Sequence, residues 1–248
     1  PQTMIAGDHD GDDMALNMIA GPSAEQEMQT LMHVRYNMHA AGTGRCVLPL
    51  GQHDTIFALY RMTLPSAGRL NPADAHDLAG GATLPRQSDY APSEVLSAVL
   101  EQTPFDLVDE HVEIRGGTLL RGSLTRKHTG DGRDSIAHRV LDLYRGTMTL
   151  RMITNVQRLV HGYMRRVAHT VGPDDLRALA APSVQQELDS VAARDGQMVG
   201  VEGDRTLDEL DAVVLQSVQA YDPAVESNPL IDMVECGSKG SQSDLCKL

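Results

Sequence analysis

Tryptophan is absent from this sequence, and with two phenylalanines and six tyrosines the aromatic share is only 3%. A core built from such a chain must rest on Leu, Val, Ile, Ala and the 12 methionines, whose flexible thioethers fill irregular gaps. Base stacking on aromatic platforms is not expected. Cysteine is scarce too: Cys46, Cys236 and Cys246 fall outside any CxxC or Cys/His ligand spacing, and an odd count argues against a disulfide framework and for a reducing intracellular setting. No apolar run approaches about 18 residues and no signal-peptide pattern is present, so no membrane association is expected. Positive charge is in short supply, with 21 Lys and Arg against 34 Asp and Glu and a net charge of −13. That balance repels a phosphate backbone, so a grip on nucleic acid would have to come from elsewhere. What is plentiful is hydrophobic residues, 41% of 248, enough for one large globular domain or two or three small ones. The chain opens on Pro1-Gln2 without a Met, which reads as a piece of something longer.

The densest chemistry lies in Ala6-Gly7-Asp8-His9-Asp10-Gly11-Asp12-Asp13, where four carboxylates fall within six positions. Alternate residues Asp8, Asp10 and Asp12 can converge on one point. Like charges about 4 Å apart repel by roughly 4 kcal/mol at an effective dielectric near 20, so convergence requires a cation. All-oxygen ligation selects a hard ion, Mg²⁺, Mn²⁺ or Ca²⁺, and Mg²⁺ keeps positions open for phosphates and water. A merely solvated acidic loop competes with this reading. An EF-hand does not, because its sixth and twelfth positions, counted from Asp8, hold Asp13 and Ile19 in place of Gly and Glu. A stand-alone Mg²⁺-dependent phosphotransferase of phosphohexomutase type shares the Asp spacing, but no phosphoserine loop or Gly-rich cradle accompanies it. A non-catalytic, calcium-stabilised interaction module is the third class.

Along the chain, Thr3–Ala6 and Asp13–Ile19 read as strands flanking the acidic loop. Ser23 with Gln26 reads as a capping box opening a short helix to about Val34, with Met28, Leu31 and Met32 as its apolar stripe. Residues 41–91 read as loops around short elements, broken by an apolar stretch from Thr55 to Met62. Pro92-Ser93-Glu94 opens a helix through Leu100, and His111–Arg115 and Thr118–Leu124 flank Gly116-Gly117 as a hairpin, so the middle of the chain is expected to be mostly β. Met148, Met152, Ile153, Val156, Leu159, Val160, Tyr163, Met164 and Val167 recur at helical spacing, opposite Arg151, Arg158, Arg165 and Arg166. Further helices open at the Ser183/Gln186 and Thr206/Glu209 capping boxes, the latter predicted to pair antiparallel with the long one. The histidines form no ligand spacing and are read as structural.

These residues together resemble the largest subunit of multisubunit DNA-directed RNA polymerases. In that family the acidic loop usually reads Asn-Ala-Asp-Phe-Asp-Gly-Asp before a Pro-x-Ser-Leu-Glu helix, which Gly7–Met14 and Pro22-Ser23-Ala24-Glu25 resemble. Asp54-Thr55 to Tyr60-Arg61-Met62-Thr63 is similar to the segment entering the pore domain. Gly117 to Lys127 with Gly130 resembles the hairpin carrying a Gly-x-Leu-x-Lys-Lys pattern. The helices from Thr147 and Thr206 would be the two funnel helices, and Asn228-Pro229-Leu230, Met233 and Gly237-Ser238-Lys239-Gly240-Ser241 resemble the turn before the bridge helix. The collinear order covers nearly the whole chain. Departures are Ala6 for the usual Asn, His9 for Phe and Asp13 for Glu. Gly122 to Lys127 resembles the archaeal and eukaryotic type and Asn228-Pro229-Leu230 the bacterial one, a mixture that a divergent viral lineage would accommodate.

The resemblance implies an α+β fold: the C-terminal part of a double-psi β-barrel and the following helix (1–40), a mixed, mainly-β pore region (41–146), and a funnel built on two antiparallel helices (147–248). It implies that Asp8, Asp10 and Asp12 are catalytic and hold the Mg²⁺ at the RNA 3′ end for two-metal nucleotidyl transfer from NTPs. Asp13 would support them from outside, and Lys239 and Ser238 would line the substrate channel. Implied partners are other polymerase subunits, above all the second-largest; template DNA, transcript and NTPs in the assembled enzyme; and a transcript-cleavage factor on the arginine face of the long helix. The setting would be intracellular, nuclear or cytoplasmic, or a viral factory or virion. The segment alone would be inactive.

Overall fold

A computed structural model describes residues 11, 13, 15–167, 169–172, 175, 228–241 and 244. Within them helices and one small antiparallel sheet mix, an α+β arrangement. In chain order the elements are α1 (Pro22–Glu27), α2 (Asp54–Thr63), α3 (Pro72–Ala79), α4 (Pro92–Leu100), β1 (Leu107–Val108), β2 (Glu113–Arg115), β3 (Thr118–Arg121), α5 (Arg126–Thr129), α6 (Ile136–Val167) and α7 (Pro229–Glu235). Thr3–Ala6 and the helices expected from Ser183 and Thr206 lie outside the described residues.

Local chemistry explains the well-formed helices. Asn71 caps α3 by accepting from the Asp74 N–H at 2.9 Å, Pro72 occupies the first turn, and Gly80 closes the far end in a left-handed conformation. The α4 helix spans the expected residues: Pro92 starts it, and the Glu94 carboxylate reaches back to the Ala91 N–H at 2.6 Å. The sheet is ordered β1-β2-β3, with Arg115 opposite Thr118 across the expected Gly116-Gly117 turn. Both glycines take positive φ, as a tight two-residue hairpin requires.

The core is organised by α6, which packs against α2, α3 and α4. Its Ile136, Ala137, Val140, Leu141, Met152, Val156, Leu159, Val160 and Tyr163 enter one apolar cluster with Leu59, Met62, Leu78, Val95, Leu96, Leu100 and Ile114. Each large side chain buried there is worth about 1.5–3 kcal/mol. Arg151, Arg158, Arg165 and Arg166 stay exposed, as the periodicity requires. Arg166 turns back to Asp74, at 2.7 Å, and to Asp77, tying α6 to α3.

Four expectations are corrected. The middle of the chain is not mainly β: its strands are two to four residues long, and Thr55–Met62 belongs to helix α2, buried on almost every side. Asp13–Ile19 forms no strand among its described residues, and Leu16 and Met18 are 97% and 96% exposed. The Ser23/Gln26 box does not form. Gly21 occupies the cap position without a side-chain bond, Pro22 begins the helix, and a π-helical turn, Met28–Met32, takes over after Glu27. The long helix starts at Ile136, eleven residues before Thr147, and breaks at Arg145 (φ 62°, ψ −179°).

A close backbone contact lies next to that break. Beside it, Gly146 lies so close to the Arg35 carbonyl that a Cβ there would overlap it. Although Ala is normally about 1 kcal/mol better than Gly inside a helix, Gly146→Ala should instead destabilise by about 1–3 kcal/mol through overpacking. The check is the urea midpoint; a midpoint that rises would show that the 34–36 turn can move aside at little cost.

Candidate functional site

The described residues that carry polar chemistry converge where α2, α5 and α7 meet. α7 begins at Asn228, whose side chain accepts from the N–H groups of Leu230 and Ile231, with Pro229 in the first turn. It ends in paired reverse bonds: the Gly237 N–H donates to the Val234 carbonyl at 3.1 Å and the Ser238 N–H to the Met233 carbonyl at 3.0 Å. Gly237 takes φ 72° to permit this, so Gly237-Ser238-Lys239 is a Schellman turn. The α5 helix is sewn to it by the Arg126 N–H donating to the Cys236 carbonyl at 2.8 Å.

On the α2 side, Asp232 is fully buried against Arg61 at 2.7 Å, and the Tyr60 hydroxyl donates to Glu235 at 2.8 Å. Burial, reinforced by Glu235, raises the Tyr60 phenol and keeps it protonated. Removing one partner of a buried ion pair typically costs about 3–5 kcal/mol, so this contact fixes α7 on α2. The His169 ring stacks 4.0 Å from Phe57, and burial together with Arg61 lowers its pKa and favours the neutral form.

Just before α2, His53 takes φ 37° and ψ −100°, a strained backbone for a non-glycine, of order 1–3 kcal/mol. It is held from two sides: its carbonyl accepts from the Phe57 N–H, and its Nδ1 lies 3.0 Å from the Ser238 carbonyl. A carbonyl can only accept, so Nδ1 carries the proton and Nε2 is the acceptor of the neutral ring. His53, Gln52, Arg126, Asp131 and Ser238 line a cavity of about 200 Å³. The Gln157 side-chain amide of α6 donates to the Leu50 carbonyl and anchors the approach to it.

Beside the cavity, Asp109 gathers the hairpin onto α5. It accepts from Lys127 Nζ at 2.8 Å, His128 Nε2 at 3.0 Å, and the N–H groups of Val112 and His111 at 2.7 and 2.9 Å. His128 Nδ1 accepts from the Thr125 N–H, which places its proton on Nε2. Burial alone would raise the Asp109 pKa, but these donors outweigh it and hold the carboxylate well below the usual range. This cluster was not visible in the sequence, because Lys127 and His128 stand 18 and 19 positions from Asp109; the Lys127-His128 pair after a hairpin was the available signal.

Asp8, Asp10 and Asp12 lie outside the described residues. Asp13 is exposed, and Ser238 is buried, its hydroxyl donating to the Met233 carbonyl at 3.1 Å. Lys239 projects into solvent from the turn. Among the described residues no group of three His, Cys, Asp or Glu side chains is placed to hold a metal ion, and no helix is long and apolar enough to cross a membrane.

Residues 25–176, more than half of the chain, match the family model for RNA polymerase Rpb1, domain 3. The chain belongs to this family. It is therefore a segment of the largest RNA polymerase subunit type. Two DNA-directed RNA polymerase II subunits of Trypanosoma brucei brucei, RPB1-A and RPB1-B, are each 23% identical to it over 288 residues. Those alignments cover 99% of this chain and 16% of each relative, so the chain spans a small part of the proteins it resembles.

Since Asp109 is a carboxylate whose folded pKa is depressed, its stabilisation is complete above the unfolded pKa of about 3.9 and is lost as pH falls below that towards the folded value. Asp109→Asn should therefore cost about 1–3 kcal/mol at pH 7 and progressively less below about pH 4. Denaturant midpoints of both proteins across that range are the test; a deficit independent of pH would assign the loss to shape and not to charge.

Proposed function

We propose that the chain is the catalytic-subunit segment of a DNA-directed RNA polymerase, acting only within the assembled enzyme. The observation that carries this is the Rpb1 domain 3 match over residues 25–176, directly behind the Asp8-His9-Asp10-Gly11-Asp12 loop. A donor set of three carboxylates suits a hard dication, and Asp8, Asp10 and Asp12 would hold Mg²⁺. When bound, the ion supplies electrostatic stabilisation of the oxygens exchanged in nucleotidyl transfer. The chain's own part is positional: the alternating aspartates aim three carboxylates at one point, and Asp13 supports them from outside.

In this reading residues 1–40 complete a double-psi barrel, 41–146 form the pore region and 147–248 the funnel, with the helix from Thr206 antiparallel to the second half of α6. Lys239 serves the substrate channel by its charge, and Ser238 by fixing the turn that carries it. Partners are the second-largest subunit and the other subunits, with template DNA, transcript and NTPs supplied to the complete enzyme. The exposed Arg151, Arg158 and Arg165 give a transcript-cleavage factor a face to contact, and the setting is intracellular.

Asp10→Ala in the assembled polymerase should abolish nucleotide addition while leaving assembly intact, since a lost metal-binding carboxylate forfeits several kcal/mol of charge stabilisation. Retention of more than about a thousandth of the activity would overturn the assignment.

Ala6 stands where the family usually places an Asn, whose amide can hydrogen-bond the sugar. A methyl group accepts ribose and deoxyribose alike, whereas a polar group is left unpaired by the deoxy sugar. Ala6→Asn should raise the preference for ribonucleotides by up to about tenfold, roughly 1 kcal/mol, read as the ratio of incorporation efficiencies for matched NTP and dNTP. An unchanged ratio would mean that another residue reads the sugar.

A further inference from the structure

Ser238-Lys239 stands between Gly237 at φ 72° and Gly240 at φ 77°. A glycine on either side gives this segment two pivots, since glycine moves through positive φ at little cost. The turn itself holds the segment loosely. The Ser238 N–H, the Ser238 hydroxyl, the Lys239 N–H and the Cys236 thiol all donate to the Met233 carbonyl, at 3.0, 3.1, 3.4 and 3.5 Å. A carbonyl oxygen has two lone pairs, so four donors compete for it. Among the described residues, one hydrogen bond reaches Ser238-Lys239 from outside α7 and this turn: His53 Nδ1 donates to the Ser238 carbonyl at 3.0 Å. The His53 ring is aimed from the core. Gln157 of α6 donates to the Leu50 carbonyl, the Thr55 N–H donates to the Gln52 carbonyl at 2.9 Å, and Gly51 is so close to the Thr55 side chain that a Cβ would overlap it. His53 then enters α2 at a φ that glycine or asparagine adopts more readily. What sets histidine apart at this position is its ring.

We propose that His53 is a positioning residue for substrate entry: by holding the Ser238 carbonyl it sets the direction of Lys239 between the two glycine pivots. The inference rests on the reading of Lys239 as a residue of the substrate channel. Released from His53, the turn keeps its bonds to Met233, but the Lys239 ammonium spreads over more directions and meets the NTP phosphates less often. The aspartate loop that carries the chemistry is untouched. The loss therefore falls on substrate binding, as a raised KM with little change in kcat.

The test is steady-state NTP incorporation by the assembled polymerase carrying three substitutions in turn. His53→Asn keeps the donor, because the amide nitrogen of Asn takes the place of ring Nδ1, and it tolerates positive φ. His53→Leu keeps the branching at Cγ without the donor. His53→Gly removes the ring and relieves the strain. His53→Leu and His53→Gly should each raise the KM for NTP about threefold to tenfold, as loss of one hydrogen bond predicts, with kcat within twofold. His53→Asn should stay within twofold of the parent in both. Lys239→Ala should raise KM as well, and adding His53→Leu to it should change nothing further. An equal loss in His53→Asn, a loss in His53→Leu that His53→Gly does not share, or additive losses with Lys239→Ala would each overturn the proposal. So would parental KM values in His53→Leu and His53→Gly where Lys239→Ala raises KM, and that result would leave the channel reading standing. A parental KM in Lys239→Ala would instead remove the channel reading, and the proposal with it.

Discussion

Everything described here depends on the burial of one face of α6. A helix of this length has a polar side with nothing to hold it, and in isolation its hydrogen bonds would compete with water. Met152, Val156, Leu159, Val160 and Tyr163 give α2, α3 and α4 a common surface, on which α4 also packs against the other two. Because the same face continues through Val140 and Leu141, the break at Arg145 interrupts the backbone without interrupting the core.

Polar contacts then decide how the segments around the cavity sit. The buried Arg61–Asp232 pair and the Tyr60–Glu235 bond set α7 on α2, while the Arg126 N–H and the His53 ring secure the turn after it. Such contacts add little net stability for their number, since each charge loses its water on burial. What they supply is geometry. The strained His53 backbone is tolerated because both its carbonyl and its ring are committed, and the turn bearing Lys239 is fixed by the same bond. The Asp109 cluster does likewise for the hairpin: Lys127 and His128 of α5 bind its carboxylate, and the His111 and Val112 N–H groups close the turn around it.

How much of this was legible follows the range of the forces. The helix from Pro92 to Leu100 and the Gly116-Gly117 hairpin were readable because their signals act within four residues. Helix α3 had equally local signals, Asn71, Pro72 and Gly80, inside a stretch whose Gly, Pro and Ala content suggested loops. The Ser23/Gln26 box was a false signal. Proline at position 22 starts the helix two residues earlier than a Ser23 cap would, so Ser23 is already inside it and its hydroxyl cannot cap. The true start of α6 was hidden because a Gly at 146 looks like a terminator, whereas here it only makes room for the Arg35 carbonyl.

By itself the sequence determined the membership of the chain in the Rpb1 type, the hairpin turn and the apolar face of the long helix, since each rests on residue chemistry or on spacing within a few turns. Only the tertiary structure decided which groups meet: Asp109 with His128, Arg61 with Asp232, and His53 with the Ser238 carbonyl. The physical reason is that many carboxylates in an acidic chain are equally able to pair with a given base. The choice among them is made by the packing of apolar surfaces far apart in sequence, which no local pattern records.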